Sequence, residues 1–342
     1  MSDKLELHDI EIASEVIAHL THTVEKVRKA QGEEIVQFLF LTDPHHRTAG
    51  NQLRTAALVN RLIRDCALDC IVCGGDISEN GDKAYVLQAQ KEMMDALRAP
   101  EYPLLPVKGN HDDNSIYDYT NKTGGTGHVI FPEEMYRTLF RQLEGTAVFD
   151  TGNESGLYYY YDIPGKRTRM IILNCIDIPY AVTEQGGLAQ NGQWEYAFSN
   201  RQLHWMEREA LNFSTHTDGD GWKAVVFSHV SILQDGVYGA DHEVAGGEAM
   251  WSIIRANRSR VAACFFGHVH YDQVIVRDGI PTISSLNAVT YQDFESAPAR
   301  ALHTITETAF DIVSIDYSKG KLQAIRFGAG EDRTIMLGGA RG

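Results

Sequence analysis

What this sequence lacks narrows it first. No uninterrupted apolar run approaches the ~18 residues that a membrane-crossing helix requires. The opening residues, Met1-Ser2-Asp3-Lys4-Leu5-Glu6, carry neither the basic nor the apolar segment of a secretory signal. The expectation is therefore a cytoplasmic, soluble protein with no membrane partner. Cysteine is scarce and odd in number, five in 342 residues, which fits a reducing compartment better than a disulfide framework. Cys70-x-x-Cys73 lies inside an apolar run, and no second pair follows at a zinc-ribbon spacing, so both read as small buried hydrophobes. Basic residues are outnumbered, 31 against 46 acidic ones. The resulting net charge of −15 leaves little for a broad grip on a polyanion, and nucleic acid is not an expected partner. A small anion remains compatible, because bound dications would make a site locally positive.

What is present is a recurrent pattern of apolar strand followed by a polar, metal-competent residue. Leu104-Leu105-Pro106-Val107-Lys108 ends in Gly109-Asn110-His111-Asp112, and Val36-Gln37-Phe38-Leu39-Phe40-Leu41-Thr42 ends in Asp43-Pro44-His45-His46. Cys70 to Gly75 runs into Asp76, Ala224 to Ser228 into His229, and Val261 to Gly267 into His268-Val269-His270. Short apolar runs bounded by turn signals read as strands buried on both faces, and open α/β sheets place ligands at the carboxyl ends of such strands. Helical patterns near 50–66 and 83–98 separate the first three strands, which implies parallel pairing with right-handed crossovers and brings Asp43, Asp76 and Asn110 to one edge. Charged and imidazole side chains are rarely buried alone, so five such tips together point to one polynuclear metal site.

The ordered set Asp43-x-His45, Gly75-Asp76-x-x-Glu79, Gly109-Asn110-His111-Asp112, His229 and Gly267-His268-x-His270 resembles the calcineurin-like metallophosphoesterases over roughly residues 35–290. The resemblance implies a four-layer α/β/β/α sandwich, two facing mixed sheets flanked by helices, of the metallo-dependent phosphatase type. It implies two divalent metal ions, one held by Asp43, His45 and His270, the other by Asn110, His229 and His268, with Asp76 shared. Mixed imidazole and carboxylate shells suit Mn, Fe or Zn rather than Mg or Ca. The implied reaction is attack of a metal-bridging hydroxide on phosphorus, with His111 as general acid and either Glu79 or Asp112 orienting it. His46 is a candidate contact for substrate phosphate, with a solvent-facing imidazole as its alternative.

Gly75-Asp76-Ile77-Ser78-Glu79-Asn80-Gly81 resembles the class III cyclic-nucleotide phosphodiesterase branch more than the protein phosphatases, which carry Asp-Arg-Gly after the bridging aspartate. There is also no tyrosine at position 79, where purple acid phosphatases place one. A small phosphodiester is the expected substrate. The alternatives are a phosphomonoesterase or nucleotidase of the same fold, or a protein-binding scaffold, although scaffolds typically lose ligands and every position is filled here.

The expected organisation is an N-terminal helical extension over 1–34 and a single catalytic domain over 35–342, with insertions near 114–150, 177–198 and 234–247. In the extension, Ile10, Ile12, Val16, Ile17, Leu20, Val24 and Val27 recur at mostly helical spacing over 8–30, giving a face that packs on the core or on a second copy in a homo-oligomer. The 114–150 insertion is either a lid or a surface excursion. The run Tyr158 to Tyr161 reads as sheet, with a stacking platform as its alternative. Alternation, turn and alternation over 310–327 predict a hairpin, expected in the second sheet.

Overall fold

The computed structural model describes residues 7, 10–150 and 157–338. Its first helix, α1 (Ser14–Lys29), is amphipathic and buries Val16, Leu20, Val24 and Val27 against its own chain. It begins later than the apolar spacing predicts. Ile10 and Ile12 precede the helix, in a bend and irregular chain, and they too pack on the core. Six of the seven apolar residues of that face thus pack on the chain's own core.

Strand and helix then alternate as expected: β1 (Val36–Leu41), α2 (Gln52–Asp65), β2 (Cys70–Cys73), α3 (Lys83–Leu97) and β3 (Leu104–Pro106). All three strands are fully buried and pair in parallel in the order β1-β2-β3. Cys70 and Cys73 are buried free thiols within β2. Beyond β3 come α4 (Ser115–Thr120) and α5 (Pro132–Met135), followed by wider and tighter helical turns to Leu143. Met135, Leu139, Phe140 and Leu143 are part of the main core, so the second half of that insertion is packed structure rather than a lid.

The second sheet takes β4 (Val148–Phe149), β5 (Tyr159–Asp162) and β6 (Thr168–Ile172). After β7 (Tyr196–Ala197) and α6 (Asn200–Trp205) follow β8 (Lys223–Phe227), β9 (Val244–Ala245) and α7 (Gly247–Ala256). Next are β10 (Val261–Phe266), β11 (Gln273–Arg277) and β12 (Ile280–Ser284). The second sheet has the order β11-β12-β10-β8-β6-β5-β4, parallel through β6, β8, β10 and β12, while β7 and β9 form a separate short pair. Tyr159 and Tyr161 face the main core, whereas Tyr158 and Tyr160 lie against Trp205 of α6. All four rings are therefore engaged in packing, which leaves no stacking platform at this run.

The C-terminal strands β13 (Ala309–Asp316), β14 (Lys321–Gly328) and β15 (Arg333–Met336) correct one expectation. The hairpin forms, but it joins the first sheet, with β13 antiparallel to β1 in the register Val36↔Ile315 to Phe40↔Asp311. The flank of β1 away from β2 was the open edge that could accept it, and the sheet order becomes β15-β14-β13-β1-β2-β3.

The two sheets face each other through interleaved aromatics. Phe38 and Phe40 of β1 lie 5.2 to 6.0 Å from Phe227 and Phe265 of the second sheet, centroid to centroid. Alternate residues on the outer face of the second sheet, including Ile171, Val226 and Cys264, pack on Trp205, Met250 and Trp251 of the flanking helices. The result is the four-layer α/β/β/α sandwich, with the carboxyl ends of β1, β2, β3, β8 and β10 meeting at one edge. Among the described residues, no helix is long and apolar enough to cross a membrane.

Candidate metal centre

At that edge the backbone is bent hard to aim its side chains inward. Asp43, His45, Asp76, His268 and His270 all have positive φ, between 43° and 66°. Each such conformation costs a non-glycine residue roughly 1–2 kcal/mol, so five in one place mark a site held open by its surroundings. Backbone bonds tie the tips together: Asp43 N–H donates to Gly75 O and Gly267 N–H to His229 O. Approach is close enough that a Cβ on Gly109 would lie 2.1 Å from Asp76 N, and one on Gly267 1.9 Å from Thr42 Oγ1. Those two positions require glycine. The carboxylates are themselves fixed: His268 N–H donates to Asp43 at 3.0 Å, and His111 N–H to Asp76 Oδ1 at 2.9 Å.

All seven residues expected as ligands, Asp43, His45, Asp76, Asn110, His229, His268 and His270, gather here. Three groupings have ligand atoms within 4.8 Å of one another: Asp43 with His45 and His270, Asp76 with His229 and His268, and His45 with Glu79 and His111. The donor set faces inward in a way that protein hydrogen bonding leaves incomplete. His229 Nδ1–H donates to Gly74 O at 2.8 Å, which leaves Nε2 directed at Asn110 Oδ1 (3.0 Å) and Asp76 Oδ2 (3.2 Å). His270 Nδ1–H donates to Tyr291 O at 3.1 Å, leaving its Nε2 only 3.1 Å from His45 Nε2 and 3.5 Å from Asp43 Oδ1. His268 directs Nδ1 to Asn110 Oδ1 at 3.1 Å while its Nε2 lies 3.1 Å from Asp241 Oδ1. Lone pairs thus converge on lone pairs in a buried space, an arrangement that a cation satisfies. Outer hydrogen bonds that fix the tautomer of ligating imidazoles are the usual companions of such a site.

The carboxylates set the electrostatics of the rings. Burial lowers His229 and His270, but Asp76 and Asp43 beside them outweigh it and raise both. Asp43 is held down at about 2, burial opposing and His229 and His270 prevailing. His45 faces mostly burial and the charge of His111, and drops to about 3.

His111 stands at the rim. Its Nδ1 is 3.5 Å from Glu79 Oε1 and 2.7 Å from Asn80 Nδ2, and its Nε2 lies 3.0 Å from Gln193 Nε2. Burial pulls this imidazole down, but Asp76 and Glu79 hold it at about 9. Glu79 in turn is kept at about 2, against burial, by His111 and His45. Of the two candidate orienters, Glu79 is the one that reaches the His111 ring. Asp112 instead accepts Gly109 N–H at 2.7 Å and Ile77 N–H at 2.8 Å, bracing the loop, and burial together with Asp76 raises it to about 6. His46 is neither solvent-facing nor at the rim: it is fully buried, with Nε2 3.2 Å from Glu92 Oε2.

Sequence reading passed over Asn80 and Gln193, which flank His111. It gave no role to Asp241 of the 234–247 insertion, which braces His268 together with Tyr196, whose hydroxyl donates to Asp241 at 3.0 Å. All lie in irregular segments without periodicity. The signals available were Asn80 directly after Glu79 and an acidic residue in the 234–247 insertion.

The sequence profile of the calcineurin-like phosphoesterases matches residues 36–272 of this chain. Among proteins with curated descriptions, no sequence matches it. Among solved structures, a dimetal phosphatase from Danio rerio is similar at a TM-score of 0.61 and 16% identity, covering 88% of this chain and 99% of that one. A putative 5'-nucleotidase from Staphylococcus aureus is similar at a TM-score of 0.43 and 15% identity over 89% of this chain and 54% of the other. At such identities the first of these shows a shared fold.

Proposed function

The chain belongs to the calcineurin-like phosphoesterases, and from that premise we propose that it is a dinuclear-metal hydrolase of a small phosphodiester. The observation that carries this reading is the convergence of Asp43, His45, Asp76, Asn110, His229, His268 and His270 with their lone pairs facing one another. Asp43, His45 and His270 would hold one cation, Asn110, His229 and His268 the other, and Asp76 both. When bound, the cations supply Lewis acidity toward phosphoryl oxygens and lower the pKa of water. The neutral Asn110 amide limits the negative charge among the donors and so preserves that acidity.

The remaining chemistry belongs to the chain's own groups. His111, with Glu79 beside its ring, would deliver its proton to the departing alkoxide. Glu79 holds the ring in place and favours its charged form. Beside Glu79, the carboxamides of Asn80 and Gln193 meet the His111 ring. Asp112 keeps the Gly109–Asp112 turn closed without touching substrate.

The test is metal analysis of the purified protein coupled to turnover of bis-p-nitrophenyl phosphate, p-nitrophenyl phosphate and cyclic nucleotides. About two divalent metals per chain and a preference for the diesters are expected. Turnover of the monoester alone would replace the diesterase with a phosphomonoesterase, and metal-free, inactive protein would favour a scaffold.

A further inference from the structure

Gln193 belongs to a segment without periodicity, directly after Asn191 and Gly192, and folding fastens that segment to the turn that follows His111. Ser115 Oγ donates to Asn191 Oδ1 at 3.0 Å, and the Tyr180 hydroxyl donates to Asp113 Oδ2 at 2.7 Å. Gly192 comes so near that a Cβ on it would lie 2.4 Å from the same Asp113 oxygen, a separation that only glycine allows beside this fully buried carboxylate. The main chain of Gln193 is then held by three bonds. Its N–H donates to Asn191 Oδ1 at 2.9 Å, and its carbonyl accepts from Asn110 Nδ2 at 3.2 Å and from the Tyr196 hydroxyl at 3.0 Å. With Nδ2 given to Gln193, the Asn110 oxygen is left facing His229 Nε2 at 3.0 Å and His268 Nδ1 at 3.1 Å. That orientation is set by the main chain of Gln193 and does not depend on its side chain.

The side chain has a different partner. Gln193 Nε2 lies 3.0 Å from His111 Nε2, while its Oε1 accepts from Asn80 Nδ2 at 3.5 Å. His111 turns Nδ1 toward Glu79 and Asn80, so Nε2 is the ring nitrogen left to meet a departing oxygen. A general acid must come within about 2.6–3.2 Å of the atom it protonates, and the carboxamide already stands at that distance. A ring nitrogen has one in-plane direction for a hydrogen bond, which either end of a carboxamide can complete, and two partners cannot share it. An ester oxygen therefore reaches His111 only where Gln193 now stands. Gln193 is half-buried, and with its main chain tied down, clearing that position takes only rotation about its side-chain bonds.

We propose that Gln193 is a gate on the acid: its carboxamide caps His111 Nε2 in the free protein and is displaced by the leaving-side oxygen of the bound ester. The inference rests on the phosphoesterase reading for the identity of the incoming group. Gln193 acts through His111 and is a positioning residue. Its displacement subtracts from the affinity of whatever binds between the metal edge and the acid.

The test is direct binding, which does not depend on turnover. Manganese-loaded protein is titrated with inorganic phosphate by calorimetry, and metal content is measured in parallel. Gln193→Ala removes the cap and leaves the main-chain bonds, so it should hold as much metal as wild type. It should also bind phosphate about 2–10-fold more tightly, the equivalent of one net hydrogen bond no longer displaced. Gln193→Glu sets a carboxylate against the acid and should bind phosphate more weakly than wild type. KM for a cyclic nucleotide should follow the same order. A merely structural role would weaken binding in both variants. Unchanged or weaker phosphate binding in Gln193→Ala, or loss of its metal, would overturn the gate. The expected order in a protein that hydrolyses no ester would support the gate and sink the catalytic reading, whereas a broken order in an active hydrolase would sink the gate alone. Absence of phosphate binding in all three proteins would overturn both.

Discussion

At the scale of single residues, the site separates groups that hold charge from the group that moves a proton. Asp76 lies 3.2 Å from His229, 3.6 Å from His45 and 3.8 Å from His111, so it touches every part of the centre. Asp76→Ala should therefore abolish both metal content and turnover. On the proposed assignment His111 stands at the rim and ligates neither cation. His111→Ala should retain both metals and lower kcat by ~10²–10⁴, the usual contribution of a positioned acid. Metal content and steady-state kinetics of the two variants, measured side by side, check the division of labour. Full activity in the His111 variant would remove it from the mechanism.

At the scale of elements, the loop carrying His268 and His270 is anchored to the C-terminal strands. Arg326 of β14 donates to both oxygens of Asp272, two residues past His270, and to Asp311 of β13, which also accepts from Arg333 of β15. Asp311 is fully buried, and burial would raise it, yet Arg326 and Arg333 hold it at about 2 from an ordinary 3.8. A carboxyl lowered on folding stabilises the fold above its unfolded pKa. That contribution, ~2 kcal/mol here, is lost as pH falls from about 4 through about 2. Asp311→Asn, which breaks the buried pair, should lower unfolding stability in urea by ~3–5 kcal/mol at pH 7. The gap to wild type should narrow as the pH approaches 2; a gap constant from pH 5 to pH 2 would contradict the assignment. These strands also mark where sequence ran out. The five strand tips were legible because each strand is buried on both faces and so reads as an apolar run ending in a polar residue. Which sheet received the hairpin was not, because pairing β13 with β1 is a long-range choice that alternation within 310–327 does not encode. Asn80, Gln193 and Asp241 were hidden for a related reason: they come from irregular segments and gain their roles only from the neighbours that folding provides.

At the scale of the whole molecule, two sheets locked by the phenylalanines of β1, β8 and β10 set five strand ends along one edge, and helices cover both outer faces. The chain is strongly acidic overall, and two of its buried carboxylates, Asp43 and Asp76, lie where imidazoles crowd around them. A protein that keeps negative charge in its interior, on backbone bent into the left-handed region, has built a receptacle for positive charge. Anomalous diffraction from crystals of the manganese-loaded protein tests this most directly. Two peaks of metal density are predicted, one among Asp43, His45 and His270 and one among Asn110, His229 and His268, with Asp76 between them. Metal density absent from this edge, or bound only elsewhere on the surface, would contradict the account.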